Sequence, residues 1–530
     1  MPDFDENSAW RGCRADFPVD LISLYRLFMR LQYEMRDLFQ LCPGPVMVFT
    51  CHTAAERYNP RESGPKKEIH MKSDYYSTSR RDFLKTSVLG SAAALTALKV
   101  PLAGAQGAPA AQPTFSPIDP ANSPMGTAFG VKPGRVAWAF DPKATTWDGV
   151  NNAPGWWDDS NTHPEVVARL LSGTIRSVGD AASDKAAWNK IFTDFNKRSG
   201  KGAVGYKKGE KIVVKLNLNQ VHDHGNGANA SYIAPQLVHG LLSQLVQQVG
   251  AAPADITFYD AIRDVPATIF DRCTKEFPGV HFVDGTGTDG REKAVPDKSK
   301  PLVFAKGDLT FYLPTCVTEA AYMINVAGLK GHTMAGMTVT AKNHQGTILT
   351  ADGGAGARFV HPWLAVKSGN RVGGPAAQGM ASYNGLVDMN GHPHIGGKTV
   401  LYLIDGLYAT QHNEFRLAPV CKWQSTPFNG HWTSSLFASQ DGVALDSVAL
   451  DFLRNEPTLA TIVTGSVDNY LHEMALAHQP PSKITYDPAK TGKPLASLGV
   501  HEHWNNATER KYSRNLGKGA GIELVDVKLV

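Results

Sequence analysis

From residue 135 onwards the chain alternates short apolar runs with longer amphipathic stretches. Runs at 135–140, 211–216, 256–259, 280–283, 321–326, 399–404, 436–439 and 522–530 are mostly apolar along their length rather than alternating, the pattern of strands buried on both faces. Between them, 164–178, 235–249, 266–277 and 443–454 repeat apolar residues at helical spacing. The second of these helices opens on Pro235 and is closed by Gly250, and Asp441 stands where it can cap the last. This order predicts an α/β fold, a mainly parallel sheet with helices on both faces. Residues 351–398 are studded with glycine and lack periodicity, so they are expected to form a long Gly-rich insertion running over the surface. The tryptophan-rich stretch 147–159 is too polar and too broken by Gly and Pro for regular structure; its rings suit either a ligand pocket or a packed surface patch.

The first 134 residues follow a different pattern. Ser79, Arg80, Arg81, Asp82, Phe83, Leu84 and Lys85 form a twin-arginine export signal, an apolar run occupies 88–98, and Ala103-Gly104-Ala105 supplies a small-x-small cleavage site. The apolar run is too short to span a bilayer comfortably, and Lys99 follows it at once. The chain is therefore expected to be exported, periplasmic or otherwise outside the cytoplasm, with the twin-arginine translocase as its partner in transit and no stable membrane span in the mature form. Met71 sits about ten residues before the paired arginines, so 71–105 reads as the leader and 1–70 as a mis-called start or an extended leader. Residues 106–134, heavy in Pro, Ala and Ser, read as a linker, leaving 135–530 as a single α/β domain.

Composition narrows the partners. With 42% hydrophobic and 19% charged residues, most of the chain is globular. A net charge of +4 spread without a basic stripe gives no nucleic-acid footprint. Six cysteines, three of them before residue 70 and none in a C-x-x-C pair, exclude a disulfide-built fold, and no iron–sulfur cluster is expected. Export in the folded state is common where a cofactor is inserted first, which leaves a divalent metal possible.

The chemistry concentrates in 321–349. Lys330, His332, Lys342, Asn343 and His344 fall within fifteen residues behind an apolar strand, and as core each would need a buried partner. In open parallel sheets ligands sit outside the carboxyl ends of the strands. Lys215, Asn217, Asn219 and His222 follow one predicted strand, Asp260 another, Asn325, Lys330 and His332 a third, and Asp405 and Asp441 two more, so all are expected on one edge. Lys215, Asn217, Lys330 and Asn343 suit the grip of a small anionic or carbonyl substrate, and His332 with Lys342 is the candidate acid–base pair. Asp405, Asp441 and Asp446 suit a divalent cation. Plainer roles stand beside these: Asp441 as a helix cap, Asp446 on a helix face, Asp405 in a turn and Lys215 as an edge lysine.

Other patterns fail on spacing. Gly285, Gly287 and Gly290 spell G-x-G-x-x-G, but the following REKAVPDKSKP cannot start the helix a pyrophosphate needs. His472-Glu473 is followed by His478, six positions on, where a zinc-protease helix needs four. There is no G-x-S-x-G. The pairs His222/His224, His392/His394 and His501/His503 have chelating spacing, although most such pairs in loops bind nothing.

LKGHTMAGMTVTAKNHQG resembles the signature of the family named domain of unknown function 362, with Lys330, His332, Thr338, Lys342, Asn343 and Gly346 at its positions. VKLNLN (Lys215, Asn217), LIDGL (Asp405, Gly406) and ASQDGVALDSVALDFL (Ser439, Asp441, Asp446) resemble its other motifs, in order, over roughly 135–454. Some members carry ferredoxin-type cysteine clusters, which this chain lacks. The resemblance implies no settled activity. The residues themselves point to an exported enzyme acting on a small anionic substrate, possibly metal-assisted, with a non-catalytic ligand- or cofactor-binding or maturation protein as the alternative.

Overall fold

A computed structural model describes residues 119–529 apart from 152, 222–223, 225–228, 307–308, 367–377 and 412–415. Gly107–Val530 forms one compact unit; the leader, its cleavage site and residues 1–70 lie outside the described residues.

The unit is built on a ten-stranded sheet. Its strands are β1 (Arg135–Phe140), β2 (Ile212–Leu216), β3 (Ile256–Tyr259), β4 (His281–Asp284), β5 (Glu292–Lys293), β6 (Tyr322–His332), β7 (Gly336–Thr338), β8 (Thr399–Thr410), β9 (Ser435–Ser439) and β10 (Glu523–Val527). Across the sheet the order is β10-β1-β9-β8-β6-β2-β3-β4-β5, with β7 folded back onto β6. All pairings are parallel except those of β9 with β8 and β1, and of β7 with β6. The sheet is thus mixed but mostly parallel, and β9 runs against its neighbours.

Period-two alternation explains how both faces are filled. Ile212, Val214 and Leu216 of β2 and Ile324 and Val326 of β6 pack on one face with α1 (Pro164–Val178), α2 (Asp184–Arg198), α3 (Pro235–Gln244) and α4 (Ala267–Glu276). Val213 and Met323 point the other way, towards α5 (Thr340–Asn343), α6 (Gly385–Gly391) and α7 (Gly442–Asn455). Lys215 lies on β2 in phase with Val213, so the sheet carries an ammonium into its own interior.

One expectation changes and another holds. Residues 351–398 are no mere surface excursion: Val360, Leu364, Tyr383 and Leu386, Val387 and Met389 of α6 are buried in the second face. Eleven glycines and no repeat hid a helix whose burial comes from tertiary packing. The glycine pattern at 285–290 is the loop that leads from β4 to the two-residue β5.

Candidate functional site

β6 and β8 continue together past the end of β2. Leu216, the last residue of β2, pairs with Val326, whereas β6 reaches His332. The overhang carries Lys330 and His332, and β7 folds back so that Thr338 pairs with Lys330. On the other side Thr410 of β8 also pairs with Lys330.

Below the overhang lies a buried polar network. Lys215 Nζ, wholly buried, donates to Asp260 Oδ2 at 3.0 Å, Leu216 O at 2.5 Å and Asn343 Oδ1 at 3.3 Å. Burial drives the Lys215 pKa down, and Asp260 opposes the shift. Asn343 Oδ1 also accepts from Asn217 Nδ2 at 3.2 Å, and its Nδ2 donates to Asn325 Oδ1 at 2.8 Å and Val326 O at 3.0 Å. Asn325 Nδ2 in turn donates to Thr340 O and to His344 Nε2, both at 2.9 Å. Burial, helped by Lys215, lowers His344 to about 3 and keeps it neutral. The backbone must come close here: a Cβ on Gly346 would lie 2.7 Å from both Asp260 Oδ1 and Lys215 Nζ.

Asn217 joins this network to the overhang, because its Oδ1 accepts from Lys330 Nζ at 2.7 Å. Lys330 makes no ion pair among the described residues, and burial lowers its pKa to about 8. Thr338 Oγ1 and Thr410 Oγ1, flanking it in register, are buried and have no hydrogen-bond partner among the described residues. Beside Lys330 lies a small cavity bordered by Asn217, Asp405, Trp156, Tyr232 and Tyr408.

Lys342 is buried as well; its ammonium meets Gln345 Oε1, it makes no ion pair among the described residues, and burial with help from Lys330 lowers it to about 7. His332 Nδ1 accepts from the backbone N–H groups of Met334 and Ala335, both at 3.1 Å, which places the proton of the neutral ring on Nε2. Its ring lies 6.3 Å from that of the half-buried His361, whose pKa burial and the nearby Lys342 lower to about 4. The structure therefore brings Lys215, Asn217, Lys330, Asn343 and Asp405 to one rim; Lys342 is close enough to Lys330 to feel its charge, and His361 lies near both His332 and Lys342.

The three aspartates do not assemble. Because β9 is antiparallel, its carboxyl end lies at the start of β8: Ser439 pairs with Tyr402, whereas Asp405 pairs with Leu436. Asp441 is thus at the opposite edge, where it accepts from the backbone N–H groups of Ala444, Phe129 and Val500. Asp446 accepts from Thr340 N, Thr340 Oγ1, Ala341 N and Tyr470 Oη, capping α5 from a neighbouring helix. Asp405 accepts from Ala234 N at the start of α3 and from Leu407 N. Burial raises Asp405 and Asp446 to about 6 and Asp441 to about 7. Among the described residues, the donor groups spaced for a metal include none of the three. His222 lies outside the described residues.

Trp156 is the tryptophan of the irregular loop that reaches the cavity. His361 gave no signal in the sequence, lying in the aperiodic stretch; only its neighbours in space mark it.

No curated protein matches the chain. Residues 212–451, from the first residue of β2 into α7, match the family model described as Domain of unknown function (DUF362). That span holds every residue of the lysine–asparagine network, and the match supports the DUF362 family for this part of the chain.

Proposed function

We propose that the rim binds a small anionic, carbonyl-bearing substrate at Lys330 and Lys342 and acts on it by proton transfer. One observation carries this reading: among the described residues Lys330 is buried without an ion pair and stands between two buried threonine hydroxyls that have no partner. A buried ammonium is costly unless paired, and a carboxylate or phosphate oxygen there would meet one cation and two hydroxyl donors. Lys342, shifted to about 7, can pass between base and acid near neutrality. His332, with its proton on Nε2, is a donor towards developing negative charge. The cavity limits the ligand to a small molecule. Export rests on the leader at 71–105 and is tested by finding the exported chain beginning at Gln106.

The test is a thermal-unfolding screen of the purified protein against small carboxylates, phosphates and oxo-acids, followed by product analysis of each hit. The expected result is a rise in Tm with at least one anion, lost in Lys330→Met, with turnover abolished in Lys342→Met. A screen in which no anion raises Tm sinks the proposal. The buried Lys215–Asn343–Asn217 network favours a second reading, a rigid holder of the same ligand, and binding without any product assigns that one.

A further inference from the structure

A second cluster lies in residues outside the family match. It gathers five side chains from three places along the chain: Asp119, Asp468 with His472, and His501 with His503. His501 and His503 sit two residues apart on extended backbone that begins with the short strand Val500–His501, paired with Met125–Gly126. His472 belongs to α8 (Asn469–Ala475), and Asp468 is the residue before that helix. Donor atoms of Asp119, His472 and His501 lie within 4.8 Å of one another, as do those of Asp468, His501 and His503. His501 belongs to both sets.

The imidazoles are oriented as ligands. Ser447 Oγ donates to Val443 O at 2.7 Å, so towards His501 Nδ1, at 2.8 Å, it acts as the acceptor. That fixes the His501 proton on Nδ1 and leaves Nε2 with its lone pair. This Nε2 is fully buried, and among the described residues its nearest carboxylate is Asp119 Oδ2, 3.6 Å away. His503 Nδ1 meets Asp451 Oδ1 at 2.6 Å, and Trp504 N and Tyr512 Oη donate to the other oxygen of Asp451. His503 Nε2 is thereby turned towards Asp468 Oδ1, at 3.1 Å. Arg454 holds Asp468 through both guanidinium nitrogens. The hydroxyl behind His501 and the carboxylate behind His503 form the outer-shell arrangement that metal-binding histidines use.

The geometry points to a site for a borderline transition-metal dication of the Zn²⁺ class, its ligands drawn from His472, His501, His503, Asp119 and Asp468 around His501, which both sets share. Two ligands of a tetrahedral zinc stand about 3.4 Å apart, close to the separations given above. Imidazoles with carboxylates suit zinc, iron or cobalt better than calcium or magnesium, which prefer oxygen alone. Asp119 and His472 are partly exposed and the other three donors buried, which gives an ion a way in. The site is independent of the rim lysines, and a bound ion would fasten the segment at Asp119 to α8 and to the last strands.

The test uses the full purified chain, stripped with a chelator and titrated with Zn²⁺ and, separately, Co²⁺. About one equivalent of metal by elemental analysis, visible cobalt bands of low-coordinate type and a higher Tm with Zn²⁺ are expected. His501→Ala should remove the bands. Should that variant not fold, Ser447→Ala, which takes away only the hydroxyl behind His501, should weaken Zn²⁺ binding about 10- to 100-fold. Lys330→Met should bind metal like the parent. Less than about 0.1 equivalent after reconstitution, with no cobalt bands, overturns the proposal and leaves an ion-paired histidine network.

Discussion

Lys330 and Lys342 at the rim are as deeply buried as Asp441 and Asp446 of the α7 region, at 2% and 8% exposure against 0% and 1%. The four charges are accommodated in opposite ways. Each aspartate is surrounded by backbone N–H groups and hydroxyls that accompany helix starts: α7 for Asp441, α5 for Asp446. Each lysine has one amide oxygen as its recorded partner and no carboxylate in ion-pairing range among the described residues. The aspartates complete structure already present, whereas the lysines leave charge for something else to neutralise. Burial and residue type alone do not separate scaffold from site; the identity of the partners does.

The largest expected effect tests a lysine that has been neutralised. Lys215→Met strands the Asp260 carboxylate and should cost about 4 kcal/mol of stability, measured by denaturant unfolding. Lys215→Met with Asp260→Leu should recover most of that loss, as matched apolar replacement of a buried pair does. A double variant no more stable than the single one would show that Lys215 serves more than its pair.

Next in size is the cap that reaches across helices. Asp446→Ala leaves Thr340 N, Ala341 N and Tyr470 Oη without their acceptor, and a loss of about 3 kcal/mol is expected. Because α5 carries Lys342 and Asn343, ligand affinity at the rim should fall with it. A variant that loses stability but binds unchanged would divide the scaffold from the site more sharply than drawn here.

This pair of regions also shows what the sequence reveals. Strands 135–140 and 256–259 and helix 164–178 were legible to the residue, because apolar runs and Pro-opened helices report local physics. So was the gathering of Lys215, Asn217, Lys330 and Asn343, since parallel strands put their ends on one side. Asp441 was misplaced for the same reason: five-residue β9 has the same apolar run whichever way it points, and only pairing reveals direction. Asp446 looked like an exposed helix face, because nothing local announces that α5 lacks a side-chain cap of its own. His361, and the meeting of His472 with His501, depend on contacts between remote segments that no spacing encodes.

Smaller, and of opposite sign, is the effect of deleting an unneutralised charge. Lys330→Met should stabilise the ligand-free protein by about 2 kcal/mol, since an uncompensated buried cation gives way to an apolar chain of similar length. The same change should remove any gain in Tm from an anion. Destabilisation on this substitution would mean that Lys330 already has its counter-charge, and the contrast with Asp446 would fail.

The smallest effect separates the two regions by pH. Lys330 and Lys342 have folded pKa values near 8 and 7, below the ordinary 10.5, so from about pH 7 upwards the folded chain gives up protons that the unfolded chain keeps. Stability should therefore rise with pH across that window and level off above the unfolded value. Asp405, Asp446 and Asp441, raised from 3.8 to about 6, 6 and 7, act the other way: the folded chain holds protons that the unfolded chain has lost, and stability falls as pH climbs through that range. The ligand-free protein should show a minimum near pH 7. Calorimetric scans should find the alkaline arm flattened by Lys330→Met and Lys342→Met, and the acid arm by Asp441→Asn. A bound anion, which selects the charged lysines, should erase the alkaline arm alone and bind more weakly above about pH 8. An alkaline arm untouched by both lysine substitutions would place its origin elsewhere and remove the reason for regarding the rim as a charge awaiting its partner.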